Sequence, residues 1–392
     1  MFASELKALL QSPDVSRRID ATAVEDYFAF GYVPDPKSIF VAVQKLEPGH
    51  CIAFRRGSST GVPRRYWDVP LFGDVDRVAP NDSPEAVAAA LKEAVRRRLV
   101  ADVPLGAFLS GGIDSSAVVA MMREIGVDRL LTCFIGFNER EYDESRYAQL
   151  VVDQKRTDHR CEIVEATDYD LLDRLPSIFD EPFFDSSAIP TYRVCQLARK
   201  HVTVALSGDG GDENFLGYRR YKQFSKQERL RGLLALGLRR PAGAMQRYFR
   251  RVTISSAADR ADLFSAPFAN SLQGYGAVQV FVGHLQGREF SDALRMVQYL
   301  DFKTYLPGDI LAKVDRASMA HGLEVRVPFL DYQFVERIAA LPSEFKLNGE
   351  ESKYGLKKAL EPYLPHEVIY RRKMGFSVPL KAWLRGSLEQ HL

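Results

Sequence analysis

Apolar and polar positions follow two different rhythms along this chain, and the change falls near residue 84. Over residues 1 to 70, short apolar runs such as SIFVAVQKL and CIAF are separated by VPDPK, EPGH and RGSSTG. Turn-forming residues at that spacing predict strands and hairpins, with TAVEDYFAFG as one helix between them. VPLFGDVDRVAPNDSP follows, and residues 71–83 within it are predicted to be a linker. Ser83 is a helix cap and Pro84 suits a first helical position. Val87, Leu91, Val95 and Leu99 then recur every four residues, the mark of an amphipathic helix.

From there the rhythm alternates. VPLGAFL, RLLTCFIGF, HRCEIVEA and HVTVALSG are apolar runs of strand length. Between them lie SSAVVAMMREIG, YDESRYAQLVVDQ, DYDLLDRLPSIF and TYRVCQLARK, all with helical patterns, the first ending at Gly126. Strands alternating with helices of this length predict an α/β fold with a parallel sheet covered by helices on both faces. Ligands of such sheets sit beyond the carboxyl ends of the strands. After residue 215 the pattern predicts helices and loops and no further strand.

Composition narrows the class. The chain has 392 residues, 46% apolar and 27% charged, as expected of a globular protein with a sizeable core. A formal charge of +2 gives no case for a nucleic-acid partner. No apolar run is long enough to span a membrane, and MFASELKALLQSPDVSRR lacks the features of a signal peptide. Cys51, Cys133, Cys161 and Cys195 are widely spaced and form no CxxC, which argues against zinc and against a disulfide scaffold. Reduced, buried thiols in a cytoplasmic protein are the expectation. The seven histidines show no metal-ligand spacing.

Two glycine-rich stretches carry the candidate chemistry. Ser110-Gly111-Gly112-Ile113-Asp114-Ser115-Ser116 lies between a predicted strand and a helix. Glycines let successive N–H groups turn toward one point, the helix N-terminus adds positive potential, and the serines add hydroxyl donors. The Walker pattern is missing. An aspartate in an anion-binding turn makes sense if Mg²⁺ bridges its carboxylate to phosphate oxygens. The alternative is a plain strand–helix turn with Asp114 as a dipole partner. The second stretch, Ser207-Gly208-Asp209-Gly210-Gly211-Asp212-Glu213, also follows a predicted strand. Two such loops at strand ends of one sheet are placed to face a single ligand.

SGGIDSS after a strand resembles the PP-loop of the ATP pyrophosphatases, and its pairing with SGDGGDE is similar to the asparagine synthetases. DEPFFDSSAIPTY, DILAKVDRASMAHGLEVRVPFLD and IYRRKMGFSVPL agree, and the resemblance covers nearly all of the chain. It implies adenylation of the aspartate side-chain carboxylate by ATP, loss of pyrophosphate, and attack of ammonia on the acyl-adenylate. It implies that Ser110, Gly111, Gly112, Asp114, Ser115 and Ser116 hold pyrophosphate and Mg²⁺, with Asp212 opposite. Leu109, Ile135, Ser207 and Gly208 match positions lining the adenosine pocket. Lys373 matches a lysine that stabilises charge at the α-phosphorus. Lys313, Asp315 and Arg316 match a helical motif, for which an ion-pair network between helices is an equal reading. Asp209 stands where many relatives carry glutamate, and it ranks with Glu213 as a substrate or supporting residue.

The same resemblance implies that residues 1–70 are the last part of a glutaminase domain and 84–392 the synthetase domain. The family's glutaminase begins with a nucleophilic cysteine; here Met1 is followed by Phe2, and LRGSLEQHL stands where the family continues. The expectation is therefore an ammonia-dependent chain. Expected partners are small molecules, aspartate or another carboxylate and ammonia, without nucleic acid or membrane, and with a homodimer as the candidate assembly. Three other readings stay open: a relative amidating a saccharide or peptide carboxylate, a tRNA-modifying PP-loop enzyme, and a non-catalytic remnant. RRYKQFSKQERLRGLLALGLRR invites the RNA reading, against which stands a solvated amphipathic helix pair.

Overall fold

The helix Ala21–Phe30 starts at Asp20, whose carboxylate accepts the Thr22 N–H at 2.8 Å, and it ends at Gly31 in the left-handed region. The predicted TAVEDYFAFG helix is thus present. The computed structural model describes residues 1–57, 61–71, 83–139, 141, 143–164, 170–234 and 243–372. They fall into two compact units, the first comprising 1–75, 179–184 and 219–310, the second 76–178, 185–218 and 311–392. These groupings follow packing and cross the boundaries read from composition along the chain. No helix among the described residues is long and apolar enough to cross a membrane.

The first unit is mostly helical. Among the described residues, the strands expected before residue 70 reduce to one antiparallel pair, β1 (His50–Cys51) and β2 (Arg64–Arg65), and two isolated bridges. Ile39, from the run expected to be a strand, is instead buried with Ala23 and Val33 beside the first long helix. Ile39 gains its burial by packing on a helix without a sheet, while Val41 and Leu46 of the same run stay exposed. The Arg- and Lys-rich segment forms the helices Arg219–Leu234 and Ala244–Val252, and others follow to Ala293–Lys303. Phe30, Phe249 and Phe281 pack ring to ring with centroids 5.6–5.8 Å apart.

The second unit carries the parallel sheet. The helix Pro84–Arg97 begins as predicted, with Ser83 Oγ accepting the Ala86 N–H at 3.2 Å and Val87, Leu91 and Val95 buried. The strands are β3 (Leu105–Phe108), β4 (Leu131–Phe137), β5 (Asp158–Val164), β6 (Val204–Leu206) and β7 (Glu324–Arg326). Their order is β5-β4-β3-β6-β7, all parallel. Consecutive residues of β4 and β6 are buried, as in a sheet covered on both faces. β4 and β5 lie on one side of β3, and β6 and β7 on the other, so the winding reverses between β3 and β6. That is the switch point where α/β sheets open a crevice at their carboxyl ends.

β7 corrects the expectation of no strand after residue 215. It is a three-residue edge strand with a charged residue at each end, too short to show a period of two. Pairing with Val204–Leu206 and the Arg326 guanidinium, which donates to the carbonyls of Arg98 and Val100 at 2.9 and 2.7 Å, hold it in place. A further pair, β8 (Leu347–Asn348) and β9 (Glu351–Ser352), leads into the helix Tyr354–Leu360.

Candidate active site

Both glycine-rich stretches leave the carboxyl ends of the two strands that flank the switch point. Leu109 follows β3 and donates its N–H to the Cys133 carbonyl at 2.9 Å; Ser207 follows β6 and donates to the Arg326 carbonyl at 2.9 Å. Each loop is therefore anchored by one more rung of the ladder before the chain turns away. Gly111 has φ +71, and a Cβ there would lie 2.4 Å from the Ala148 nitrogen, so glycine is required by both conformation and space. Gly112 caps the helix Ile113–Ile125, which places Asp114 in its first turn.

The serines brace this loop. Ser115 Oγ accepts the Ser110 N–H at 3.2 Å, donates to the Gly112 carbonyl at 3.1 Å and lies 3.1 Å from Ser110 Oγ. Ser116 Oγ is fully buried with no hydrogen-bond partner among the described residues. The second loop lies directly on the first. A Cβ on Gly208 would stand 2.6 Å from the Ser115 nitrogen, and one on Gly211 2.4 Å from Asp114 Oδ1. Backbone contact this close is how a side chain from one loop reaches the other.

Asp114 and Asp212 meet at one cation. Lys353 Nζ donates to Asp114 Oδ2 and forms an ion pair with Asp212 Oδ1 at 2.7 Å. Burial of Lys353 would lower its pKa, but the two carboxylates outweigh it and hold the ammonium above the usual lysine range. The two predicted acids thus meet at one cation within the second unit. A pair of carboxylates suits Mg²⁺, which is usually held by one or two carboxylates together with substrate phosphates. Among the described residues no group of three His, Cys, Asp or Glu side chains could hold a metal alone. Two carboxylates are a donor set that fits a divalent cation whose remaining ligands come from elsewhere.

A second charged cluster lies on the same loop system. Lys313, buried, donates to Asp185 Oδ2 at 2.6 Å and Ser187 Oγ at 2.8 Å. Burial pushes the Asp185 carboxyl up, but Lys313 and Ser187 prevail and hold it down to about 2. Asp209 accepts from Ser207 Oγ and feels Lys313; burial nevertheless leaves its carboxyl above the usual range. Glu213 is buried and accepts the Tyr218 hydroxyl at 2.5 Å. Leu109 and Ile135 are buried in the second unit. Asp315 is exposed and pairs locally with Arg316 at 3.1 Å, outside both clusters. Lys373 lies outside the described residues.

Lys353, Asp185, Ser187 and Arg371 escaped the sequence reading. Asp185 and Ser187 stand in the DSS of DEPFFDSSAIPTY, a repeat of the acid–serine pattern in SGGIDSS that was available as a signal. Arg371 forms an ion pair with Glu144 at 2.6 Å, stacks 4.6 Å over the Tyr147 ring and reaches to within 3.7 Å of a Cβ placed on Gly112. It supplies a buried cation beside the first loop. Lys353 carries no local signal, because only the fold brings it to Asp114, 239 positions away in the chain.

Comparison with known proteins places the chain in a family. The family described as Asparagine synthase matches residues 86–392, and the Glutamine amidotransferase domain matches residues 1–67. The chain is 31% identical to asparagine synthetase [glutamine-hydrolyzing] 1 of Bacillus subtilis, over 99% of this chain and 64% of that protein. It is 33% identical to a putative asparagine synthetase [glutamine-hydrolyzing] of Mycobacterium tuberculosis, over 98% of this chain and 62% of the relative. It is also 25% identical to amidase chyE of Penicillium rubens, over 99% of this chain and 68% of the relative. The chain thus spans less than two thirds of the length of the two synthetases. The paired loops at the switch point and the match over residues 86–392 lead to one conclusion: this chain belongs to the asparagine synthase family.

Proposed function

We propose that this protein is an ATP-dependent amide ligase that converts the side-chain carboxylate of aspartate to the amide, giving asparagine, AMP and pyrophosphate. The convergence of Asp114 and Asp212 on one buried point at the ends of β3 and β6 is the observation that carries this reading. A carboxylate oxygen of the acceptor attacks the α-phosphorus of ATP, the bond to the β-phosphate oxygen breaks, and an acyl-adenylate and pyrophosphate result. Ammonia then attacks the acyl carbon, loses a proton, and AMP leaves with the oxygen.

In this scheme the N–H groups and hydroxyls of Ser110, Gly111, Gly112, Ser115 and Ser116 take the oxygens of the leaving pyrophosphate, at the positive end of the helix Ile113–Ile125. Asp114 and Asp212 would hold Mg²⁺, which when bound neutralises charge on that leaving group. Leu109, Ile135, Ser207 and Gly208 receive the adenosine. Lys373 stabilises the α-phosphorus in the transition state, where a fixed charge contributes most. Lys313, held by Asp185 and Ser187, and the neighbouring Asp209 border the space for the acceptor.

Ammonia is the proposed nitrogen donor for residues 1–392 assayed alone. Cys133 and Cys195 are buried, and burial pushes both thiols up, the former to about 12, so neither is a ready nucleophile; Cys51 and Cys161 are exposed, against the expectation of buried thiols, and partial burial raises the Cys161 thiol as well. A second reading, amidation of a different carboxylate, is favoured by the amidase relative, which matches 99% of the chain.

Exchange of labelled pyrophosphate into ATP, run with aspartate and with a panel of peptide and saccharide carboxylates, tests the proposal. Exchange that needs aspartate supports asparagine formation, and exchange driven by another carboxylate alone moves the assignment to the second reading. Products of ADP and phosphate, instead of AMP and pyrophosphate, overturn both.

A further inference from the structure

Lys353 lies between β9 and the helix Tyr354–Leu360, with φ 57 and ψ 30. A lysine in the left-handed region is unusual and costs backbone energy, which the surrounding structure must enforce. Its N–H donates to the Phe215 carbonyl at 3.1 Å, tying it to the segment just beyond the second glycine-rich loop. The residue is 3% exposed. Gly217 closes over it: a Cβ there would come within 2.1 Å of Lys353 Cε and 2.0 Å of Asp212 Oδ1. The ammonium is therefore enclosed by backbone, while the two carboxylates it pairs with stay partly exposed.

This placement has a consequence for cation binding, resting on the reading that Asp114 and Asp212 take the divalent ion. Nζ occupies oxygens of the same two carboxylates that such an ion would use. A free divalent cation entering here must either displace a buried ammonium or share its oxygens beside it. The first leaves a positive charge buried without its partners, and the second sets two positive centres side by side in a low-dielectric site. Phosphate oxygens brought with the cation relieve both costs, because they are acceptors for the displaced ammonium and counter-charge for the pair.

We infer that Lys353 is a resident counter-ion that excludes free divalent cation from the Asp114–Asp212 pair and makes metal entry conditional on the nucleotide. Lys353 is in this sense a positioning residue, one that sets the order in which ligands bind. The coupling is thermodynamic and reciprocal: nucleotide tightens the metal by the same factor as metal tightens the nucleotide.

The test is titration of the full 392-residue chain with Mn²⁺, followed by the electron paramagnetic resonance of the free ion, with and without a non-hydrolysable ATP analogue. The wild-type protein binds Mn²⁺ weakly alone and far more tightly with the analogue. Lys353→Met binds Mn²⁺ alone at least about tenfold more tightly than wild type, so that the coupling shrinks by the same factor. Lys353→Arg, which keeps the charge, retains the exclusion. Mn²⁺ alone raises the melting temperature of Lys353→Gln and not that of wild type, a readout independent of activity.

Wild-type affinity for Mn²⁺ that ignores the analogue overturns the inference, and this result requires no variant to fold. Unchanged Mn²⁺ affinity in a folded Lys353→Met does the same. Asp114→Asn and Asp212→Asn separate this failure from that of the underlying reading. If analogue-dependent Mn²⁺ binding survives in both, the acid pair is not the metal site and the proposed function loses its central observation.

Discussion

Asp301 in the first unit and the Asp114–Asp212 pair in the second each set carboxylate against a cation, and they are built in opposite ways. Asp301 is a single buried acid shared by several donors: Arg220 at 2.8 Å, the Tyr248 hydroxyl at 2.6 Å and the Tyr221 hydroxyl. Its surroundings are aromatic side chains, Tyr221 and Tyr248 being among the largest fully buried residues. At the strand ends one ammonium is shared by two acids, and the walls are glycine backbone. A donor-rich acid enclosed by side chains is a fixed structural tie. Acids that share one cation and are enclosed by glycine leave the backbone close enough to meet a ligand, which is the mark of a site.

The sharpest way to break that distinction is to remove the acids on each side. Asp114→Ala or Asp212→Ala is expected to reduce pyrophosphate exchange by roughly 10³-fold or more while the fold persists. Asp301→Asn is expected to cost about 3 kcal/mol of stability, because Arg220 loses its charged partner, yet leave exchange per folded molecule unchanged. Chemical denaturation paired with exchange assays measures both. A catalytically dead but stable Asp301→Asn would erase the contrast.

Glycines sharpen it next. A Cβ on Gly211 meets Asp114 Oδ1 at 2.4 Å, so Gly211→Ala is expected to lower exchange by roughly a hundredfold through displacement of that carboxylate. Gly283, inside the helix Val278–Leu285 of the first unit, has open space around it, with nothing within 4 Å of where a Cβ would stand. Gly283→Ala should leave exchange intact and stabilise by roughly 0.5–1 kcal/mol through helix entropy.

Proton linkage gives the smallest and most discriminating effect, of opposite sign in the two units. Burial raises Asp26 of the first unit to about 6 despite the Lys37 ammonium and the Tyr275 hydroxyl beside it. The folded state then binds the proton more tightly than the unfolded one, and stability falls as pH rises from about 4 to about 6. Asp185 of the second unit is held down to about 2 by Lys313, so its stabilisation is present above about pH 4 and is lost as pH falls toward 2. Asp26→Asn should flatten the first slope and Asp185→Asn the second, each by on the order of 1–3 kcal/mol in melting series against pH. A matching slope in both variants would remove this difference between the units.

The elements that the sequence made legible are those whose signals are local. Apolar runs at 103–109 and 129–137, the Ser83 cap and the left-handed Gly126 that ends the helix Ile113–Ile125 are all read from a few neighbouring residues, and all are present. β7 was hidden because three residues cannot display periodicity and its pairing is decided by Val204–Leu206, far away in the chain. SIFVAVQKL misled for the converse reason: tertiary packing buries Ile39 against a helix and leaves Val41 and Leu46 exposed, so the run forms no regular strand.

The site divides along the same line. The sequence by itself determined the two glycine-rich loops, their place after strands and the acids within them, because a backbone turned toward an anion needs glycine at fixed local positions. Only the tertiary structure decided that Lys353 would lie between Asp114 and Asp212, that Asp185 would hold Lys313, and that Asp315 would face outward. Those pairings join residues brought together by strand order and hairpin packing, and the charge on a side chain does not say which distant partner the fold will bring within reach.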